Sequence, residues 1–200
     1  MKGKAKKSKG ERTRERIFFR AGNLFAEKGY QAISVDEIID GLGIAKGTMY
    51  QYFDGKNGLL KELLQYSHDQ ITAVFDSIQT DGKECRAVIR ETYFRLNRLY
   101  STTFDMIALG LSCSGIFSED DAIPFLIETL QNGYKKVLKP FNDDFRVNPV
   151  EIPFVVFLQG EFIRGHLQYH FGSSGAPDED ILRIIDFTMD LLENGIFTRG

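Results

Sequence analysis

Apolar residues recur along this chain at helical spacing almost throughout, and no stretch alternates long enough to argue a strand. Ile17, Phe18, Ala21, Leu24 and Phe25 make one stripe on a helix expected over about residues 10 to 28, with Gly29 as its stop. Ser34 stands three residues before Glu37, a capping box that opens a short second helix carrying Val35, Ile38 and Ile39 inward and ending at Gly41 or Gly43. A third short helix is expected over about residues 45 to 53, and after the Asp54-Gly55 turn a long fourth runs from Lys56 to about Ser77. Further helices are predicted at about 84 to 101, 103 to 112, 120 to 140, 148 to 171 and 178 to 196. Turn residues separate them: Thr80-Asp81-Gly82, Ser112 to Ser118, Asn142 to Asp144 and Gly172 to Pro177. The fold class is therefore all-α.

The third helix raises the question of what its aromatics do. At about 100° per residue, Met49 and Phe53 fall on one side with Ile44 beneath them, while Gly47, Thr48 and Gln51 point the opposite way. Lys46 and Tyr50 share one flank and Tyr52 takes the other. Two short helices around a tight glycine-containing turn, after a stabilising first helix, match a helix-turn-helix whose second member enters the DNA major groove. Tyrosine there offers a hydroxyl to phosphate and a flat ring to sugar or a thymine methyl. By spacing alone, Tyr50 and Tyr52 serve equally well as props for the fourth helix.

Charge sharpens the picture. Residues 1 to 20 hold nine basic side chains against Glu11 and Glu15, a local +7 in a chain of net charge -3, which leaves -10 for the rest. A basic arm suits nucleic acid or an anionic membrane, or simply keeps a terminus soluble. With 200 residues and 42% apolar content the chain can bury one good core. No run of about 18 uncharged apolar residues occurs, and the lysine-rich start lacks the apolar stretch of a signal peptide, so a cytoplasmic protein is expected. Cys85 and Cys113 show no metal or redox spacing and read as free thiols.

The stretch "SVDEIIDGLGIAKGTMYQYFDGKNGLL", residues 34 to 60, resembles the helix-turn-helix signature of the TetR family of bacterial transcriptional repressors. The lead-in "RERIFFRAGNLFAEKGYQAIS" resembles that family's first helix and its Gly-Tyr link. The likeness covers about the first third of the chain. It implies a homodimeric repressor with a DNA-binding domain over residues 1–55 and an effector-binding and dimerisation domain over 56–200. By position, Ser34 would cap the second helix and reach a phosphate, and Lys46, Gly47, Thr48, Tyr50, Gln51 and Tyr52 would form the recognition surface on palindromic operator DNA. Lys56 would bind the backbone through its charge and the positive end of the fourth helix, and Arg14 would add a contact from the first. Ala45 stands where the family usually has a serine-like cap, and Tyr52 where histidine is common. Ile39 and Leu42 are bulkier than the alanines common there.

The remainder is less explicit. Phe75, Phe94, Phe104, Met106, Leu109, Phe125 and Phe157 are candidate walls of a pocket for an apolar or aromatic small molecule, although such residues also describe any helical core. Asn148, Pro149 and Glu151 start a helix that continues as "IPFVVFL", and the last helix carries apolar residues on more than one side. This excess suggests a four-helix seam with a second copy, through Phe162, Ile185 and Leu192. His166 and His170 stand at i, i+4 without a third ligand, so no metal is expected. No nucleophile pattern, phosphate loop or cofactor fingerprint occurs, so neither an enzyme nor a cofactor is expected. The reading is a repressor released from its operator by a small molecule. An activator or dual regulator of the same fold, or a small-molecule binder without specific DNA recognition, are its competitors.

Overall fold

The computed structural model describes residues 7–102, 123–144, 160, 162, 163, 165 and 176–195. They are helical, with no strand among the described residues. The chain divides into two compact units, the first holding the described residues through Ser67 with Ile123 and Pro124, the second the others from His68 onward, so the division falls within two helices.

In the first unit, α1 spans Lys9–Lys28, one residue longer at its start than the periodicity predicts. Ser8 supplies the reason: its hydroxyl accepts the Glu11 backbone N–H while the Glu11 carboxylate accepts the Ser8 N–H. The buried stripe is Ile17, Phe18, Ala21 and Phe25, and Leu24 is only half-buried. Gly29 at φ 86° ends the helix with its N–H on the Phe25 carbonyl. The Ser34–Glu37 box opens α2, Val35–Asp40, whose buried residues are Ile38 and Ile39. Arg20 of α1 donates to the Ile38 carbonyl at 2.9 Å and the Glu37 carbonyl at 3.2 Å, satisfying acceptors that the end of a short helix leaves without partners. The turn passes Gly43 at φ 63°, a left-handed conformation that favours glycine, and Arg16 donates to the Leu42 carbonyl at 3.1 Å. α3 then occupies Lys46–Tyr50, shorter than expected, and residues 51–53 form a turn. Met49, Phe53 and the first half of α4 (Gly55–Ser77), with Leu59, Leu60 and Leu63, close this core. Ile44 is half-buried.

The second unit contains the remainder of α4, α5 (Cys85–Thr102), α6 (Ile123–Leu138) from Phe125 onward, a 3-10 turn Lys139–Asp144 and α7 (Asp178–Gly195). The sequence-predicted turn at Asn142 to Asp144 is thus a continuation of α6 as 3-10 helix. Phe75, Tyr93 and Tyr134 form its aromatic centre, with ring centroids 5.1 Å apart for Phe75–Tyr134 and 6.1 Å for Tyr93–Tyr134. Gly133 lets α6 close on α4, because a Cβ built there would stand 2.2 Å from the Phe75 ring. Buried Thr92 and Asn97 turn back to carbonyls four residues earlier, at 2.8 and 2.9 Å, so neither is left unpaired.

Between α5 and α7 runs a ladder of ion pairs. Arg86 meets Asp190 at 2.7 Å, Arg90 grips Asp186 with two bonds of 2.5 and 3.0 Å, and Arg98 meets Asp178 at 3.1 Å. Each advance along α5 is matched by an equal retreat along α7, the register of an antiparallel pair. That register sets Phe94 opposite Leu182, both half-buried. The ladder is exposed, with Arg90 and Asp186 side chains 40% and 42% accessible, so each pair contributes only about 0–1 kcal/mol. Truncating one buried neighbour such as Tyr93, Ile185 or Leu96 would cost about 2–5 kcal/mol. The apolar seam therefore holds the helices together, and the ladder fixes their register.

The Arg90 hydrogen bonds hold the Asp186 carboxyl below the ordinary carboxylate range, with burial pulling the other way. Because the folded value is depressed, this contribution is present above the unfolded pKa of about 3.9 and is lost as pH falls through the folded value. Asp186→Asn should be less stable than wild type near neutral pH by up to about 1 kcal/mol, with the gap closing in acid. Urea titrations over a descending pH series check this; a gap that stays constant would remove the pair from the stability of α5 on α7.

Candidate nucleic-acid interface

α3 has five residues, far below the length at which an isolated helix persists, so its placement depends on what it buries. Met49 is 0% exposed and Phe53 3%, and the Phe53 ring stacks on Phe18 of α1 at 6.5 Å. With that side committed inward, Lys46, Gly47, Tyr50 and Gln51 are exposed and Thr48 is half-exposed. Tyr50 presents 54% of its surface, and its ring edge passes 3.8 Å from where a Cβ on Gly55 at the start of α4 would stand. A Cβ at Gly47 would meet nothing within 4 Å, so the helix has open space in front of it.

Three side chains bring cations to this face in different ways. The Lys46 ammonium lies 3.0 Å from the Asp36 carboxylate, in an exposed pair worth little and easily exchanged for another anion. Lys56, second residue of α4, donates to the Ile33 carbonyl at 2.6 Å and lies 4.1 Å over the Tyr30 ring. Burial pushes its pKa down, against the raising effect of Glu37. An ammonium has three donor hydrogens, so this anchoring leaves capacity for a phosphate. Arg14, expected to add a DNA contact from α1, has a structural role as well. It pairs with Glu62 of α4 and lies 4.9 Å over the Phe53 ring, and so stitches α1 to α4.

Ser34, Tyr52 and Ala45 complete the surroundings of α3. The Ser34 hydroxyl accepts the Glu37 N–H at 3.1 Å, as a cap should, and donates to Glu37 Oε2 at 3.5 Å. Tyr52 is half-buried and leans on the start of α1, where a Cβ on Gly10 would stand 3.3 Å from its hydroxyl. Ala45 occupies the N-cap of α3 at φ -72° and ψ 151° and makes no side-chain cap bond. Arg20 and Arg16, which hold α2 and the turn in place, were absent from the sequence-derived set; nothing in helical periodicity singles out a guanidinium that will meet backbone carbonyls.

In the second unit a cavity of about 370 Å3 lies between α4 and α6. Phe75 and Gly133 form its apolar part, and His68, Thr72, Glu128 and Asn132 are among its polar lining. His68 Nδ1 and Thr129 Oγ1 lie 2.8 Å apart, and Lys136 pairs with Asp76 at 2.6 Å. Of the two candidate pocket residues whose side chains are described, Phe75 lines this cavity and Phe94 does not. Phe94 is half-buried on α5; Phe104, Met106, Leu109, Phe157 and the side chain of Phe125 lie outside the described residues, as do His166 and His170. Among the described residues no cluster of three metal-ligating side chains occurs, and no helix is long and apolar enough to cross a membrane.

The candidate dimer residues separate. Phe162 is 63% exposed, whereas Ile185 is 0% exposed within its own chain and cannot face a partner. Ile181, Ile185 and Met189 form the inward side of α7, which leaves Phe187, 58% exposed, as the outward apolar residue. The side chain of Leu192 lies outside the described residues.

The family "Bacterial regulatory proteins, tetR family" matches residues 20–63, a stretch that includes all of α2 and α3. The HTH-type transcriptional repressor KstR2 of Rhodococcus jostii is 29% identical over 126 residues, 63% of this chain and 56% of that protein. The matched stretch spans about half the length of the curated relatives. A solved TetR-family regulator from Bordetella parapertussis superposes with a TM-score of 0.69 at 21% identity, covering 90% of this chain and 95% of that one. FadR from Bacillus subtilis in complex with stearoyl-CoA gives 0.70 at 17% identity, covering 91% and 98%.

The uncapped start of α3 yields a direct test. Ala45→Ser would add a side-chain acceptor for the first-turn N–H groups and should stabilise the protein by about 1 kcal/mol in urea denaturation. No gain would mean that those N–H groups are already satisfied in the folded chain.

Proposed function

The chain belongs to the TetR family of bacterial transcriptional regulators, DNA-binding proteins rather than enzymes, and on that premise we propose that it is a cytoplasmic, homodimeric repressor released from a palindromic operator by a small molecule. The observation that carries the proposal is the division of α3 into a buried side, Met49 with Phe53 behind it, and an outward side of Lys46, Gly47, Thr48, Tyr50 and Gln51. In this reading the outward side enters the major groove, with Tyr50 and Lys46 on phosphate and Thr48 and Gln51 toward base edges. Ser34, Tyr52 and Lys56 flank it as backbone contacts. Residues 1–55 act as the DNA-binding region and 56–200 as the effector-binding and dimerisation region.

Ligand response supposes two dimer states, one with recognition helices spaced for successive major grooves and one without. A ligand favouring the second lowers operator affinity by the same factor by which operator lowers ligand affinity. The cavity between α4 and α6, with Phe75 in its wall, supports a ligand with an apolar or aromatic portion. Stearoyl-CoA in the FadR complex supports small-molecule binding by this fold. Exposed Phe162 and Phe187 are the residues proposed for the dimer seam, in place of Ile185.

Tyr50→Ala and Lys46→Ala should each weaken operator binding by about 1–3 kcal/mol while leaving the thermal transition unchanged, since both side chains are exposed. Sites selected from random DNA supply the operator for the titration; wild-type affinity in both folded variants would sink the assignment. For the seam, Phe162→Glu and Phe187→Glu should each give monomers at micromolar concentration in sedimentation, with a palindrome bound no better than a half-site. Dimers that persist in both variants would put the seam elsewhere.

A further inference from the structure

We propose that the cavity between α4 and α6 selects a compact effector that joins an aromatic or apolar body to one ammonium group; the inference rests on the ligand-responsive reading and names the ligand class of that same cavity. Its volume of about 370 Å3 is near the lower end of ligand sites, which run from about 300 to 1,000 Å3, so the occupant is a small molecule of single-ring size. Phe75, buried against Gly133, backs the apolar part of the lining as a firm floor on which such a ring would rest.

Charge decides the rest. Lys136 is engaged with Asp76 at 2.6 Å, so those two lining groups offset one another. Glu128 also lines the cavity and has no hydrogen-bond or ion-pair partner among the described residues. Asp76 and Glu128 against Lys136 leave these lining groups with one net negative charge, which disfavours an anionic ligand, whereas an ammonium meets Glu128 as an available counter-ion. The Thr72 hydroxyl and the Asn132 amide carbonyl, both in the lining, can accept the ammonium's remaining hydrogens. Glu128 is exposed, so the attraction acts as selection between charge types, and an otherwise matched anion is the form disfavoured.

Three probes of equal shape test this: phenethylammonium, phenylacetate and 2-phenylethanol, titrated calorimetrically into the full chain without DNA. Phenethylammonium should bind about tenfold more tightly than either of the others, and Glu128→Gln, an exposed change that leaves the core intact, should abolish that preference. Equal or better binding of phenylacetate, an unchanged preference in Glu128→Gln, or no binding by any probe would overturn the proposal. Operator titration with and without phenethylammonium separates the two readings. Binding that leaves operator occupancy unchanged supports the amine site and refutes ligand-responsive release. Intact operator binding with no amine preference refutes the site alone.

Discussion

The burial of Met49 and Phe53 is the constraint on which the outward face of α3 depends. Five residues cannot hold a helix by their own hydrogen bonds, and this helix lacks even the side-chain cap that would help to start it. Its orientation comes from an apolar side that fits against α1 and the first half of α4, and from a neighbour, α2, that Arg20 grips by two carbonyls. The aromatic cluster of Phe18, Phe53 and Tyr66 then makes rotation of α3 costly, because turning it would expose Met49 and break the stack of Phe53 on Phe18. Specific recognition by so short an element is possible only when the scaffold, and not the helix itself, supplies the rigidity.

The second unit solves a related problem with less specific means. Its helices are long enough to be amphipathic, so burial of Tyr93, Tyr134, Ile181 and Ile185 supplies the cohesion, and exposed arginine–aspartate pairs tell α5 and α7 where to stop sliding. Gly133 adds a steric condition, since α6 approaches Phe75 at a distance no side chain would permit. Close helix approach leaves the cavity beside it with a firm apolar wall and a polar margin that can vary without disturbing the core.

Much of this was legible in local sequence because its causes are local. The Ser34–Glu37 box, the stripe from Ile17 to Phe25 and the opposition of Met49 to Gly47 all follow from spacing within a few turns, and the helices lie where those signals put them. What escaped depends on residues far apart. Arg14 reads as one more cation in a basic segment until Glu62, 48 residues away, is found beside it. Ile185 and Phe187 are equally apolar and two positions apart; which one faces the core is set by where α7 rests on its neighbours, and no periodicity within α7 reveals that. The polar lining of the cavity was hidden for the same reason, since His68 and Thr129 meet across 61 positions.

The pairing of Lys46 with Asp36 alters how binding to a polyanion responds to salt. A free lysine that meets a phosphate releases a condensed cation from DNA, and affinity falls steeply with ionic strength in proportion to such contacts. In the proposed complex Lys46 would instead exchange one carboxylate partner for a phosphate, and Asp36, left uncompensated beside the duplex, would retain or recruit a cation. Lys7, paired with Glu15 of α1, would behave in the same way on meeting a phosphate. The slope of log affinity against log salt would therefore understate the number of phosphates touched in the proposed complex, and a contact count drawn from it must first be corrected for the acids that the basic groups leave behind.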